Sequence, residues 1–206
     1  MLFIDENQYI SEGKTRKCYS HPNDKNLCIK IMKPLHTGVK FLNKEIKYYN
    51  KIQKRNKKYS LSFFAKYHGK IDTNLGVGYL YDLIRDQNGK VSLPIKYYIE
   101  TRSINKFPNN HAAAALKDIM QKMVKHKVFG YDVYHNNLLC RLKGKNKIEL
   151  VLIDGLGITS QPTSIRTIKS YFSFLVNYSD YLARKRVNAV FRSSGILNAL
   201  EKMPIN

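Results

Sequence analysis

Two aliphatic runs, 138–142 (Leu, Leu, Cys, Arg, Leu) and 148–153 (Ile, Glu, Leu, Val, Leu, Ile), flank the polar stretch Lys143, Gly144, Lys145, Asn146, Lys147. Two β-prone runs joined by a loop containing Gly and Asn close most simply as an antiparallel hairpin. The hairpin constrains the chain because of what lies at its open end. Asp132 is the only aspartate with an asparagine five residues later, Asn137, and Asp154 follows the returning strand. Folding about Lys145 and Asn146 sets Asn137 roughly opposite Asp154, with Cα atoms about 5 Å apart. An amide oxygen and a carboxylate then converge from one end of a ribbon. That suits magnesium, which takes one or two protein oxygens and fills its shell with substrate phosphates and water. Asp132 is left to meet an attacking hydroxyl.

Upstream, 10–19 and 27–32 are strand-like, broken at His21, Pro22, Asn23 and Asp24, and read as three short antiparallel strands. The segment 40–58 has a helical period, with Leu42, Ile46, Tyr49 and Ile52 on one stripe and Lys44, Lys47, Lys51 and Lys54 turned elsewhere. Glu45, the only carboxylate of this segment, falls inside the apolar stripe, so a buried charge partner is expected. A second hairpin is expected over 71–84, turning at Asn74, Leu75 and Gly76. Polar residues and Gly89 make 82–94 a connecting stretch. Beyond it, Asn109 or Asn110 caps an expected helix over 111–127, with Leu116, Ile119, Met120, Met123 and Val124 as its apolar stripe. One or two amphipathic helices are expected over 164–191.

The 206 residues suffice for one domain or two small lobes sharing a cleft. No apolar run reaches a spanning length and the first ten residues lack the basic start and apolar stretch of a secretory signal, so a cytoplasmic location is expected. Cys18, Cys28 and Cys140, three in number and without paired metal-site spacing, are expected as free thiols. The net charge of +21 is spread over the whole chain and calls for an acidic partner. An anionic substrate, a membrane surface and nucleic acid all satisfy it. Nucleic acid has only charge in its favour, since no zinc finger, RNP-type aromatic motif or heptad repeat is present. Lysines decorating solvated faces account for part of the excess without any function.

Within 27–32 the strand period places Cys28, Lys30 and Met32 on one face and Leu27, Ile29 and Ile31 on the other. A lysine inside a short apolar strand has two readings. It protects an exposed sheet edge, or it reaches a phosphate while a carboxylate such as Glu45 steadies it. Glu45 could equally pair with a lysine of its own helix.

In order, these elements resemble the protein-kinase-like fold: Cys28 to Lys30 resembles the end of the nucleotide-binding VAIK strand, Glu45 the helix glutamate, Asp132 to Asn137 the catalytic loop, and Asp154 the magnesium aspartate. The stretches RKCYSHPND, CIKIM, EIKYY and GVGYLYDLI, together with the length, are similar to the YrbL-like family of PhoP regulatory network proteins. The resemblance implies an α+β, two-lobed architecture. Residues 1–84 form an antiparallel-sheet lobe with helix 40–58, 85–94 the connector, and 95–206 a reduced, mostly helical lobe with catalytic loop 130–140 and hairpin 138–153. It further implies ATP and magnesium as cofactors. Lys30 would contact phosphates, Glu45 would orient Lys30, Asn137 and Asp154 would hold magnesium, and Asp132 would orient the acceptor hydroxyl. Asp82, Leu83 and Ile84 would receive adenine, and Cys28 would lie at its roof.

The departures narrow the expectation. Gly130 and Tyr131 stand where kinases carry His and Arg, so an arginine link to a phosphorylated loop is missing. Leu156 replaces the Phe of the magnesium motif, and no APE motif follows. Of the glycine-rich loop only Gly13 survives, with Ser11 at the first position and Arg16 near the third; Lys14, Arg16 and Lys17 would grip phosphates by charge. His135 reads best as a loop-packing residue. The expected activity is phosphoryl transfer to a hydroxyl of a small or lipid-linked, anionic acceptor such as a cell-envelope sugar. The alternatives are a nucleotide-binding pseudokinase acting on a protein partner, and a basic module for nucleic acid or membrane. Expected partners are a nucleotide and the anionic acceptor, with peripheral contact to an anionic membrane as a further option and nucleic acid disfavoured.

Overall fold

The computed structural model describes residues 1–34, 39–57, 59, 61–101, 111–126, 128, 136–144 and 147–157. The chain divides into two compact units, Met1–Val91 and Ser92–Asn206.

In the first unit the alternating runs form β1 (Tyr9–Glu12), β2 (Arg16–His21) and β3 (Asp24–Met32), followed by α1 (Val39–Arg55), β4 (Tyr67–Thr73) and β5 (Gly76–Asp82). The strands make one antiparallel sheet in the order β1-β2-β3-β5-β4, which places β3 at its centre. Strand alternation sorts the core into two layers. On one face Tyr19, Ile29 and Ile31 pack with Ile4, joined by Leu2, Ile71 and Leu80. On the other, the rings of Tyr67 and Tyr81 pack against Tyr49 of α1, with the Tyr49 and Tyr81 centroids 5.5 Å apart. Helix α1 covers this face because Leu42, Glu45, Tyr49 and Ile52 recur at three- and four-residue spacings and are all buried. Full burial of each large apolar side chain contributes about 1.5–3 kcal/mol. A reciprocal amide pair ties helix to sheet: Gln53 donates to the Tyr67 carbonyl (3.0 Å) and accepts from the Tyr67 N–H (2.9 Å).

The N-terminal segment, for which the sequence suggested no structure, is strapped to the β4–β5 turn. Leu2 N–H donates to Asp72 O (2.7 Å), and the Asn74 side chain bonds both the N–H and the C=O of Ile4. That is why Ile4 joins the core. The turn itself falls at Asn74 and Leu75, with Gly76 at φ 104°, a conformation that favours glycine.

In the second unit β6 (Leu93–Pro94), α2 (Ile95–Glu100), α3 (His111–Lys125), β7 (Leu138–Leu142) and β8 (Ile148–Leu152) follow in order. The three strands form an antiparallel sheet in the order β6-β7-β8, and α3 packs on β8. Leu138, Leu139 and Cys140 of β7 and Leu150, Val151 and Leu152 of β8 are buried, so both faces of the hairpin are covered. The helices expected over 40–58 and 111–127 are each a few residues shorter in the structure. The helices expected over 164–191, the cap at Asn109 or Asn110, and Gly130 to His135 lie outside the described residues. Among the described residues no helix is long and apolar enough to cross a membrane.

Candidate functional site

In the first unit Lys30 stands on the central strand, opposite Cys18 on β2 and Tyr79 on β5. It is 7 % exposed. The edge-protection reading therefore fails, since β3 is hydrogen-bonded on both sides and presents no edge. The Lys30 Nζ lies 4.6 Å from the centroid of the Tyr81 ring, whose π face attracts the cation.

Arg16 pairs across the ladder with Met32, two residues from Lys30, so alternation puts Arg16 and Lys30 on the same α1-covered face. Arg16 is not held out in the preceding turn as the phosphate-gripping expectation required. It is buried, and its Nη1 lies 3.3 Å from Glu45 Oε2. Glu45 thus has the buried charge partner that its place in the apolar stripe calls for, supplied by a strand arginine the sequence reading had assigned elsewhere. The sequence signal was partial: the two-residue spacing of Arg16 and Cys18 puts them on one face of β2 but does not say that α1 covers it.

Ser11 pairs with Cys18 near the end of β1, and Gly13 and Lys14 are exposed in the turn that follows. The Gly13 N–H donates to Arg16 O at 2.9 Å. A Cβ on Gly13 would meet nothing closer than Arg16 O at 4.0 Å, so neither crowding nor backbone demands glycine there within the unit. Cys28, opposite Ser20 and Tyr81, is buried and its Sγ lies 3.7 Å from Asp82 O. A hydrogen bond with Cys18 and burial hold its thiol well above the usual cysteine range.

At the end of β5, Asp82 is fixed from three sides. Its carboxylate accepts from the Lys66 N–H (2.9 Å) and meets His68 Nε2 (2.6 Å), while its own N–H donates to Lys66 O (3.0 Å). Leu83 N–H donates to Asn26 O at 2.7 Å. The amides of Asp82 and Leu83 are therefore committed within the unit, and a base edge could not use either without breaking a bond of the fold.

In the second unit the register corrects the expected placement of Asn137. Leu138 pairs with Leu152, and Ile153 N–H donates to Asn137 O at 2.9 Å, so Asn137 faces Ile153 and Asp154 lies one residue beyond. At the other end of the hairpin Leu142 pairs with Ile148, Lys143 N–H closes on Lys147 O at 2.7 Å, and Gly144 takes φ 83°. Both residues nonetheless sit at the open end of the same hairpin, half-buried. Asp154 Oδ1 accepts the Gly155 N–H at 2.8 Å, and Gly155 and Gly157, with φ of 72° and 128°, turn the chain on either side of the fully buried Leu156. Leu156 thus anchors this turn.

An amide oxygen and a carboxylate are hard donors that fit magnesium. Among the described residues no three His, Cys, Asp or Glu side chains gather as a cation cage, so a cation held here would draw further oxygens from phosphate or water. Asp132 and His135 lie outside the described residues.

A model of the family of the PhoP regulatory network protein YrbL matches residues 2–193. The chain is 29% identical over 160 residues to the protein named "Uncharacterized protein YrbL" in Escherichia coli strain K12, covering 76% of this chain and 74% of the relative. The same values hold for the protein of that name in Shigella flexneri. Two crystal structures of the Mycobacterium tuberculosis PknI kinase domain, a double and a single mutant, align at 13% identity and a TM-score of 0.45. Each alignment covers 76% of this chain but only 59% and 60% of those chains, less than two thirds of either.

Proposed function

We propose that this chain, which belongs to the family of the PhoP regulatory network protein YrbL, is an ATP- and magnesium-dependent phosphotransferase of kinase-like design. Its acceptor is a hydroxyl of a small or lipid-linked anionic molecule, such as a cell-envelope sugar. One observation carries the reading: an ammonium group is buried at the centre of a sheet, on the face that also carries the Arg16–Glu45 pair. A fold needing only packing would place an aliphatic residue at this central, buried strand position, so a lysine there points to a role for its charge.

Magnesium ATP supplies the phosphoryl group and charge that offsets its negative oxygens. Lys30 binds phosphate oxygens, and Glu45, clamped by Arg16, fixes the helix beside it. Ser11, Gly13 and Lys14 offer the turn that covers the phosphates, with Lys14 as its exposed cation. Cys28 and the segment Asp82 to Ile84 receive the base, by packing and through groups other than the committed amides of Asp82 and Leu83. Asn137 and Asp154 hold the metal, and Asp132 orients the acceptor hydroxyl. The chemistry asked of the protein is chiefly positioning and charge stabilisation.

The experiment is a thermal shift followed by a turnover assay. ATP with magnesium should raise the melting temperature, and Asp154→Asn should weaken that rise; no magnesium-dependent shift in the native protein would remove the proposal. ATP turnover or autophosphorylation should then vanish in Asp132→Ala. A second reading, a nucleotide-binding regulator without turnover, is favoured by the burial of Arg16 beside Glu45, which takes one cation away from the turn expected to cover the phosphates. A full thermal shift with turnover unchanged by Asp132→Ala or absent altogether would select it.

A further inference from the structure

The outward face of α1 is a cationic ridge that nothing in the proposed catalysis uses. At about 100° per residue, Lys44, Lys47, Lys51, Lys54 and Arg55 fall within an arc of about 100° and span about 16 Å along the axis. All five are exposed. The helix's one carboxylate, Glu45, is buried on the opposite side. Some surface cations elsewhere meet carboxylates, as Lys33 does with Glu12, Lys96 with Glu100 and Lys122 with Asp118. Among the described residues no carboxylate lies within ion-pair distance of Lys44, Lys47, Lys51 or Lys54. Such a face repels itself and gains most from an anionic surface that neutralises it all at once.

We infer that the outward face of α1 docks on an anionic lipid bilayer. Three features select a bilayer over a nucleic acid. Four of the five cations are lysines, point charges suited to a plane of headgroups, whereas arginine dominates bidentate recognition of nucleic acid. No exposed aromatic ring interleaves with the cations to stack on bases, since Tyr48 is half-buried and Tyr49 buried. Instead, rings lie at the ends. Phe41, 71 % exposed, stands one turn before Lys44, and Tyr59, also exposed, follows the helix. The apolar side of α1 is taken up by the sheet, so the cations make the contact by charge and the exposed Phe41 ring beside them reaches the headgroup layer. The inference does not depend on phosphotransfer and would hold equally for a regulator.

The full chain should co-sediment with phosphatidylcholine vesicles containing phosphatidylglycerol, should not bind pure phosphatidylcholine vesicles, and should lose binding as salt rises. Each basic residue near such a surface is worth about fivefold in affinity. Lys47→Gln/Lys51→Gln should therefore weaken vesicle binding at least tenfold while leaving the melting temperature unchanged, and Lys47→Glu/Lys51→Glu should weaken it further. Phe41→Ser should weaken vesicle binding several-fold without altering retention on a DNA duplex. Failure to bind the anionic vesicles, or binding indifferent to both double variants, would overturn the inference. So would duplex binding that exceeds vesicle binding and falls in the lysine variants while Phe41→Ser has no effect; that outcome would reassign the face to nucleic acid.

Discussion

Arg16 and Glu45 form an ion pair across the interface of β2 and α1, with Nη1 3.3 Å from Oε2 and side chains only 10 % and 5 % exposed. Two charges taken this far from water are tolerated because each answers the other. Removing one strips a buried charge of part of what offsets its desolvation, which costs up to about 3–5 kcal/mol. Glu45→Gln and Arg16→Met should therefore each lower the chemical-denaturation midpoint of the first unit by a comparable, large amount. The double variant Arg16→Met/Glu45→Leu should recover much of the loss, because an apolar pair needs no compensation. A small effect for the single variants, or strictly additive losses in the double, would mean that the pair does not hold α1 to the sheet.

Lys30 calls for a test with and without nucleotide. Its ammonium is buried over the Tyr81 ring, yet methionine keeps the length and apolar stem of the side chain while removing the desolvated charge. Lys30→Met should leave the nucleotide-free protein folded, with a measurable melting transition of its own. The same variant should abolish the melting-temperature rise given by ATP with magnesium. An undiminished rise would take Lys30 out of the nucleotide site. Large destabilisation without nucleotide would make the lysine a structural element of the core.

Much of this was legible in the sequence because its signals are local. The period of α1 reads directly from Leu42, Ile46, Tyr49 and Ile52, and it already put Glu45 inside. The hairpin 138–153 reads from its two aliphatic runs. What failed to read depends on contacts distant in the chain or on a single backbone angle. Arg16, which forms an ion pair with Glu45, lies 29 residues upstream, and strand alternation alone did not say which face of β2 the helix would cover. The strap from Leu2 and Ile4 to Asn74 spans 70 residues. At the hairpin, Gly144 takes a left-handed conformation and Leu142 pairs with Ile148, a register that sets Asn137 against Ile153 instead of Asp154.

Cys28 gives the first unit an alkaline limit. Its hydrogen bond with Cys18 and its burial favour the neutral thiol, so the folded chain keeps that proton well above the value of about 8.5 at which an unfolded cysteine releases it. Below about pH 8.5 the contribution is fully present. As pH rises through the window above it, the unfolded state binds fewer protons than the folded one and stability falls. Tyr67, raised by burial and by Tyr79, acts in the same direction above about pH 10. Urea midpoints measured from neutral to alkaline pH should decline across this range, and Cys28→Ala should flatten the earlier part of the decline. An identical slope in Cys28→Ala would show that other groups set the limit. In the native protein iodoacetamide should also modify half-buried Cys18 before Cys28.

Gly78 governs how closely the central strands approach on the face away from α1. It pairs with Ile31 on β3 and Ile71 on β4, and a Cβ there would stand 2.5 Å from Ile29 Cγ2, 3.3 Å from Ile71 Cγ2 and 3.4 Å from Thr73 Cγ2. Ile29 Cγ2 belongs to a β-branched side chain that is fully buried on the central strand, so it cannot swing aside. Gly78→Ala should cost about 1–3 kcal/mol through this overlap. Because Tyr79 is the next residue and the strand partner of Lys30, the displacement reaches the candidate phosphate site. Gly78→Ala should therefore lose part of its nucleotide-dependent thermal shift as well as stability. Moving the branch point with Ile29→Leu clears the crowded methyl, so Gly78→Ala/Ile29→Leu should be less destabilised than the sum of the two single changes, a coupling expected between residues in contact. Additive losses would place the strain elsewhere, and a neutral Gly78→Ala would mean the strands separate at little cost.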